Sequence, residues 1–215
     1  MHPATNWLTL LQQHRAIAVI RAPEFSIGQT MAKTVIQAGM RLIEITWDSD
    51  RPGDLISHLR QTYPHCTIGT GTLFTTLDLQ AAIAAGSQFA FTPSCNPSLI
   101  EQAIAHDIPM IPGALTPTEI VTAWQAGAAA VKVFPISAMG GAHYLQALRD
   151  PLRAVPLIPT GGVTVENAID MLQAGATAIG LSSSLFPKQA IATQDWEKIT
   201  QLTQILHHQI APTCH

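Results

Sequence analysis

The chain has 215 residues, 47% hydrophobic and only 12% charged, with a formal net charge of −3 at neutral pH. That composition suits one large core and a single domain over residues 1–215, and the lack of a basic block argues against nucleic acid as the main partner. No segment offers about 18 consecutive apolar residues, so no membrane span is expected. Three scattered cysteines, Cys66, Cys95 and Cys214, fit neither a disulfide framework nor a zinc site, and point to a reducing, cytoplasmic setting.

The opening MHPATNWLTLLQQHR has no basic stretch followed by an apolar one, so it does not read as a secretion signal. Instead Thr5 or Asn6 would cap a short amphipathic helix. Beyond it four phrases recur: QAGMRLIEI from Gln37, AAGSQFAFT from Ala84, QAGAAAVKVFP from Gln125 and QAGATAIGLSS from Gln173. Each passes from helix formers through Ala-Gly to an apolar, strand-like run, and the glycine fits a left-handed helix C-cap. Gly39, Gly86, Gly127 and Gly175 lie 47, 41 and 48 residues apart. That is about two strand–helix units, so a second strand is expected within each interval.

The predicted strands are Ala16–Arg21, Arg41–Thr46, Thr67–Thr72, Phe89–Pro93, Pro109–Ala114, Ala130–Pro135, Leu157–Gly162 and Ala178–Ser183. Between them lie helical patterns at Ser26–Ala38, Pro52–Gln61, Thr75–Ala85, Pro97–His106, Pro117–Ala126, Gly141–Arg149 and Thr164–Ala174, with a last helix over Asp195–Gln209. Several begin with a capping Ser or Thr or an early Pro. Eight apolar strands alternating with helices predict an α/β fold, a (β/α)8 TIM barrel with an extra N-terminal helix. An open doubly wound sheet is the rival, but the even spacing and short length favour closure.

In such barrels chemistry collects at the C-terminal strand ends. The polar residues expected there are Arg21, Glu44, Thr46, the GTGT of Gly69–Thr72, Thr92 with Pro93, Lys132, the PTGG of Pro159–Gly162 and the run Gly180–Ser184. Of fourteen acidic residues only Glu44 falls in a predicted strand, and of four lysines only Lys132 does. One acid and one amine could form a structural buried ion pair, but such pairs are poor stabilisers against apolar isosteres. The alternative is chemical. Burial would lower the lysine pKa, and a neutral amine attacks a carbonyl to form a Schiff base that serves as an electron sink. Glu44 would then shuttle protons.

PTGG and GLSSS end the seventh and eighth strands, where barrels often hold an anion on backbone N–H groups. Gly161 and Gly162 allow close approach, and Ser182 and its neighbours add hydroxyl donors. Small residues in GTGT would make room for a ligand or fill the tapering barrel, and Thr72 could donate to a carboxylate. No histidine falls in a predicted strand. His143 is the nearest to the mouth, on a surface helix. No pairing of residues suggests a metal site or a catalytic triad.

The phrases RLIEITWDS, GTGTLFT, FAFTPSCNP, IPGALTPTEI, VKVFPISAMGG and LIPTGGVTVEN, in this order and spacing, resemble the 2-keto-3-deoxy-6-phosphogluconate (KDPG) aldolases and their 4-hydroxy-2-oxoglutarate (KHG) aldolase relatives. The resemblance covers nearly the whole chain. It implies a (β/α)8 barrel, class I aldol chemistry on a small 2-keto acid with no metal or other cofactor, and commonly a homotrimer. It makes Lys132 the Schiff-base lysine and Glu44 the general acid/base. Thr72 would help bind the pyruvyl carboxylate, Pro93 would line the pyruvyl pocket, and Thr160, Gly161, Gly162 and Ser182 would bind phosphate.

One position departs. The family pattern E-V-T-L-R-T places an Arg on the substrate carboxylate, and EITWDS has Asp48 there. Either Asp48 turns outward or Arg21 supplies the positive charge. GLSSS also differs from the common G-G-S-W. The expected reaction is cleavage of KDPG to pyruvate and glyceraldehyde 3-phosphate, with KHG cleavage to pyruvate and glyoxylate beside it. An aldolase for the galactonate epimer (KDPGal) needs the same lysine and glutamate. A non-catalytic barrel binding a phosphorylated metabolite needs neither, and other phosphate-binding barrel enzymes need no Schiff-base lysine.

Overall fold

The computed structural model describes residues 3–211. A first helix, α1 (Pro3–His14), precedes the barrel. It begins before Thr5 and Asn6, which lie inside its first turn rather than capping it, and Cys214 lies outside the described residues. Strand–helix units follow: β1 (Ala16–Ile20), α2 (Phe25–Gln37), β2 (Leu42–Thr46), α3 (Pro52–Thr62), β3 (Thr67–Gly71), α4 (Thr76–Ala84), β4 (Ala90–Phe91) and α5 (Pro97–Ala105). The second half runs β5 (Met110–Ile111), β6 (Gly113–Ala114), α6 (Pro117–Gln125), β7 (Val131–Val133), α7 (Ala142–Arg149), β8 (Leu157–Pro159), α8 (Ala168–Gln173), β9 (Ile179–Leu181), α9 (Lys188–Ala192) and α10 (Trp196–Ile210).

Local chemistry starts and stops these helices as expected. Thr75 with Asp78 and Thr116 with Glu119 form reciprocal capping boxes, and Asn96 caps α5. The four repeat glycines all take left-handed φ, from +88° to +112°, just past their helices.

The strands lie parallel in two hydrogen-bonded runs, β5-β4-β3-β2-β1-β9 and β6-β7-β8. The predicted fifth strand is thus two short pieces broken at Pro112, which has no N–H to give to a ladder. Its carbonyl still accepts from Lys132 N–H at 2.9 Å, and Met110 accepts from Ala129 N–H at 2.9 Å, so the break does not open the sheet. Thr177 N–H donates to Leu157 at 2.9 Å across the β8–β9 seam. The eight predicted strands therefore form the (β/α)8 barrel. The helix expected from Thr164 begins only at Ala168, because Thr164 and Asn167 bond each other in a turn first.

Alternation along the strands sorts two cores. Residues 16, 18, 20, 43, 45, 131, 133, 157, 179 and 181 face the helices and join one large cluster. Those of opposite parity, Ile17, Val19, Leu42, Phe89, Phe91, Ile111, Ala130, Ile158 and Ala178, fill the barrel with Trp7 and Leu11 of α1. Trp7 is 2% exposed and its ring centroid lies 4.6 Å from that of Phe89, so α1 plugs the base. At the next inward step above Leu42 and Ala130 stand Glu44 and Lys132.

Candidate active site

Glu44 and Lys132 come from β2 and β7, four strands apart around the barrel and so on opposite walls. In an open sheet four strand spacings would separate them by about 19 Å. Closure turns both side chains into one interior. They are the acid and the lysine that lie within strands, as the sequence indicated, and both are buried, at 1% and 6% exposure. They do not form the ion pair that a purely structural role would require. Among the described residues the ion pairs are Arg21–Asp48 and Arg51–Asp54.

Glu44 sits opposite Gly69 in the β2–β3 register, and its Oε1 has no hydrogen-bond partner. A Cβ on Gly71 would come within 1.7 Å of Oε1, so the small residues of GTGT make room for the glutamate itself, while the missing Cβ of Gly69 admits the Phe89 ring. Burial pushes the Glu44 carboxyl above the usual carboxylate range, against the opposing pull of Lys132 and Arg21. A buried acid with an empty acceptor and a raised pKa is suited to exchanging protons.

Lys132 lies opposite Gly113 on one side and Ile158 on the other. Its Nζ stands 4.9 Å from the centroid of the Phe134 ring and 5.9 Å from that of Phe91. These aromatic walls are site residues the sequence reading missed. Phe134 follows Lys132 by two, but only the fold turns its ring to the amine. Gly113 was equally inconspicuous. A Cβ there would meet the Pro93 carbonyl at 2.3 Å, so it is Gly113 that lets Pro93 lie against the strand beside Lys132.

Thr72 stands one residue past β3 with φ +63°, a left-handed value unusual for a β-branched residue. Strain of this kind persists where the surroundings impose it, and it clusters at binding sites. Thr160 is buried just past β8, and the missing Cβ of Gly180 makes room for its hydroxyl. Gly161 and Gly162 turn at φ +77° and +91°, and a Cβ on Gly162 would lie 2.3 Å from that of Ser137. Ser182 lies just past β9 on the inward parity shared by Ala178, half-buried. Ser184 is occupied otherwise, its hydroxyl accepting from Val165 N–H at 2.9 Å. His143 is exposed on α7.

Arg21 falls one residue beyond β1 and is half-exposed. Its Nε donates to Asp48 Oδ2 at 2.8 Å. Asp48 thus pairs with Arg21. Partial burial raises the Asp48 carboxyl, but hydrogen bonds from Thr46 and Arg21 outweigh it and hold the group below its ordinary value. Arg21, Asp48 and Ser182 line a cavity of about 740 Å³ whose other walls include Ile27 and Met31 of α2 and Ile191 of α9; Glu44 and Lys132 do not line it. Among the described residues no cluster of three or more His, Cys, Asp or Glu could hold a metal, and no helix is long and apolar enough to cross a membrane.

Residues 8–202 match the model of the KDPG and KHG aldolases. The chain belongs to the KDPG and KHG aldolase family. It is 32% identical to the 2-dehydro-3-deoxy-phosphogluconate aldolase of Treponema pallidum, over 90% of this chain and 92% of that protein. It is 30% identical to the KHG/KDPG aldolase of Escherichia coli over 93% and 95%. The crystal structure of a KDPG aldolase from Legionella pneumophila, with pyruvate captured as a covalent carbinolamine, superposes with a TM-score of 0.86 at 26% identity, covering 96% of this chain and 98% of that one. Like its relatives, this family member is an aldolase, a carbon–carbon lyase.

Proposed function

We propose that this aldolase cleaves KDPG to pyruvate and glyceraldehyde 3-phosphate, with Lys132 as the Schiff-base lysine and Glu44 as the proton-transfer residue. The observation that carries the assignment is the placement of one buried amine and one buried, unpartnered carboxylate on opposite walls of the same interior. The unprotonated Lys132 Nζ attacks C2 of the 2-keto acid. Loss of the carbinolamine hydroxyl as water, with protons moved by Glu44, gives the iminium. Glu44, directly or through a water, then takes the proton of the C4 hydroxyl. The C3–C4 bond breaks, its electron pair flows to the iminium, and the aldehyde departs from an enamine. Protonation at C3 and addition of water to the iminium release pyruvate and restore Lys132.

Thr72 and Arg21 would hold the pyruvyl carboxylate, with Pro93 against the pyruvyl group. Thr160, Gly161, Gly162 and Ser182 would hold the distal phosphate, a subsite that favours KDPG over the unphosphorylated KHG. The chain is proposed to act in the cytoplasm, in the Entner–Doudoroff route, as a homotrimer. The exposed Phe74, Leu77 and Met139 beside the mouth support an assembly that covers them. The test is kcat/KM for KDPG, KDPGal and KHG in a pyruvate-detecting assay, on the wild type and Lys132→Ala. A preference for KDPG, abolished in the variant, is expected. A preference for KDPGal or KHG would reassign the substrate, and turnover by Lys132→Ala would remove the lysine from the mechanism.

A further inference from the structure

Three consecutive residues after β2 reach across to the loop after β1. Asp48 Oδ2 accepts from Arg21 Nε at 2.8 Å. Ser49 Oγ accepts from Ala22 N–H at 3.0 Å, and Asp50 N–H donates to the Ala22 carbonyl at 3.0 Å. Asp50 Oδ2 accepts from Phe25 N–H, the first residue of α2, at 2.9 Å. Ser49 is itself buried and anchored on the Thr46 hydroxyl at 3.2 Å. Residues 48–50 thus stitch the two loops residue by residue, and Arg21 is the one side chain of the β1 loop that the stitch grips.

The grip is selective. The pairing uses Nε, and among the described residues neither Nη of Arg21 makes a hydrogen bond or ion pair. An arginine offers five donors in a fixed fork, so fixing Nε fixes the direction of the rest while leaving them to an anion. Arg21 is on the inward parity of β1, after Ile17 and Val19, and close enough to Glu44 to lower its pKa.

We infer that Asp48 is a positioning residue that aims the Arg21 guanidinium at the carboxylate of the 2-keto acid, setting substrate affinity without touching substrate. The inference rests on the aldolase reading above. It makes a prediction opposite in sign to simple electrostatics. Asp48 is a negative charge beside an anion site, so deleting it by field alone should tighten binding. If it aims Arg21, deleting it should loosen binding.

The experiment is borohydride trapping of pyruvate on the full-length wild type, Asp48→Asn, Arg21→Ala and the double variant, with adduct formation followed by intact mass as pyruvate is varied. Thermal melts confirm that each variant is folded. Asp48→Asn is expected to raise the half-saturating pyruvate concentration by about tenfold, with the limiting trapping rate within about twofold of wild type. Arg21→Ala is expected to raise it by about 10- to 100-fold, as for loss of a charge-assisted hydrogen bond. Asp48→Asn should add nothing in the Arg21→Ala background, and Asp48→Glu should restore part of the loss. Unchanged or tighter half-saturation in Asp48→Asn, or full additivity in the double variant, would overturn the positioning role. A wild type that forms no adduct would overturn the aldolase reading and this inference with it.

Discussion

Glu44 is held where its charge is costly: inside the barrel, one oxygen unpartnered, its pKa raised mainly by burial. A carboxyl whose folded pKa exceeds its unfolded one binds more protons when folded, so stability falls as pH rises through the folded value. Wild type should therefore lose stability relative to Glu44→Gln as the pH rises above the usual carboxylate range, read as a widening gap in melting temperature. The same variant should lose the acidic limb of the pH–rate profile, which in the wild type lies above the usual carboxylate range. Thr72 should show a similar conflict. Thr72→Gly relieves its left-handed strain and is expected to gain about 1 kcal/mol in stability while weakening pyruvate binding through loss of the hydroxyl. Gly71→Ala should abolish turnover, because the added methyl occupies the place of Glu44 Oε1.

Among the elements, α1 precedes the first strand and is not required by the barrel motif. Its Trp7 and Leu11 fill the base, far from the strand ends that carry the chemistry. Trp7→Ala should destabilise the protein by about 3–5 kcal/mol, measured by denaturant unfolding, and leave the half-saturation of pyruvate trapping unchanged. The units themselves were legible because each combined a local stop signal with a period. The Ala-Gly phrases marked helix ends, and capping Ser or Thr residues and early prolines marked helix beginnings. The departures arise from pairing, which a single sequence does not display. Pro112 divides the fifth strand between two ladders, and the Thr164–Asn167 turn delays α8. Lys132 and Glu44 could be picked out by charge alone, since each is the odd residue in an apolar run. Phe134, Gly113 and the pairing of Asp48 with Arg21 could not, because their meaning lies in a neighbour distant in sequence.

At the scale of the whole molecule, the function is a consequence of closure. Eight strands bring an amine and an acid from opposite walls into one interior and gather the ends of β1, β2, β3, β8 and β9 around its mouth. Electrons are stored on the lysine's own nitrogen in this chemistry. Cleavage of KDPG should accordingly persist at full rate after dialysis against a chelator, measured by pyruvate release. The covalent bond between the lysine and pyruvate is the central feature of this chemistry. The decisive measurement is peptide mapping of the wild-type protein and Lys132→Ala after borohydride reduction with pyruvate. A pyruvate-sized adduct on the peptide containing Lys132, absent from the folded variant, is the predicted result. No adduct, or an adduct on another residue that survives in Lys132→Ala, would contradict it.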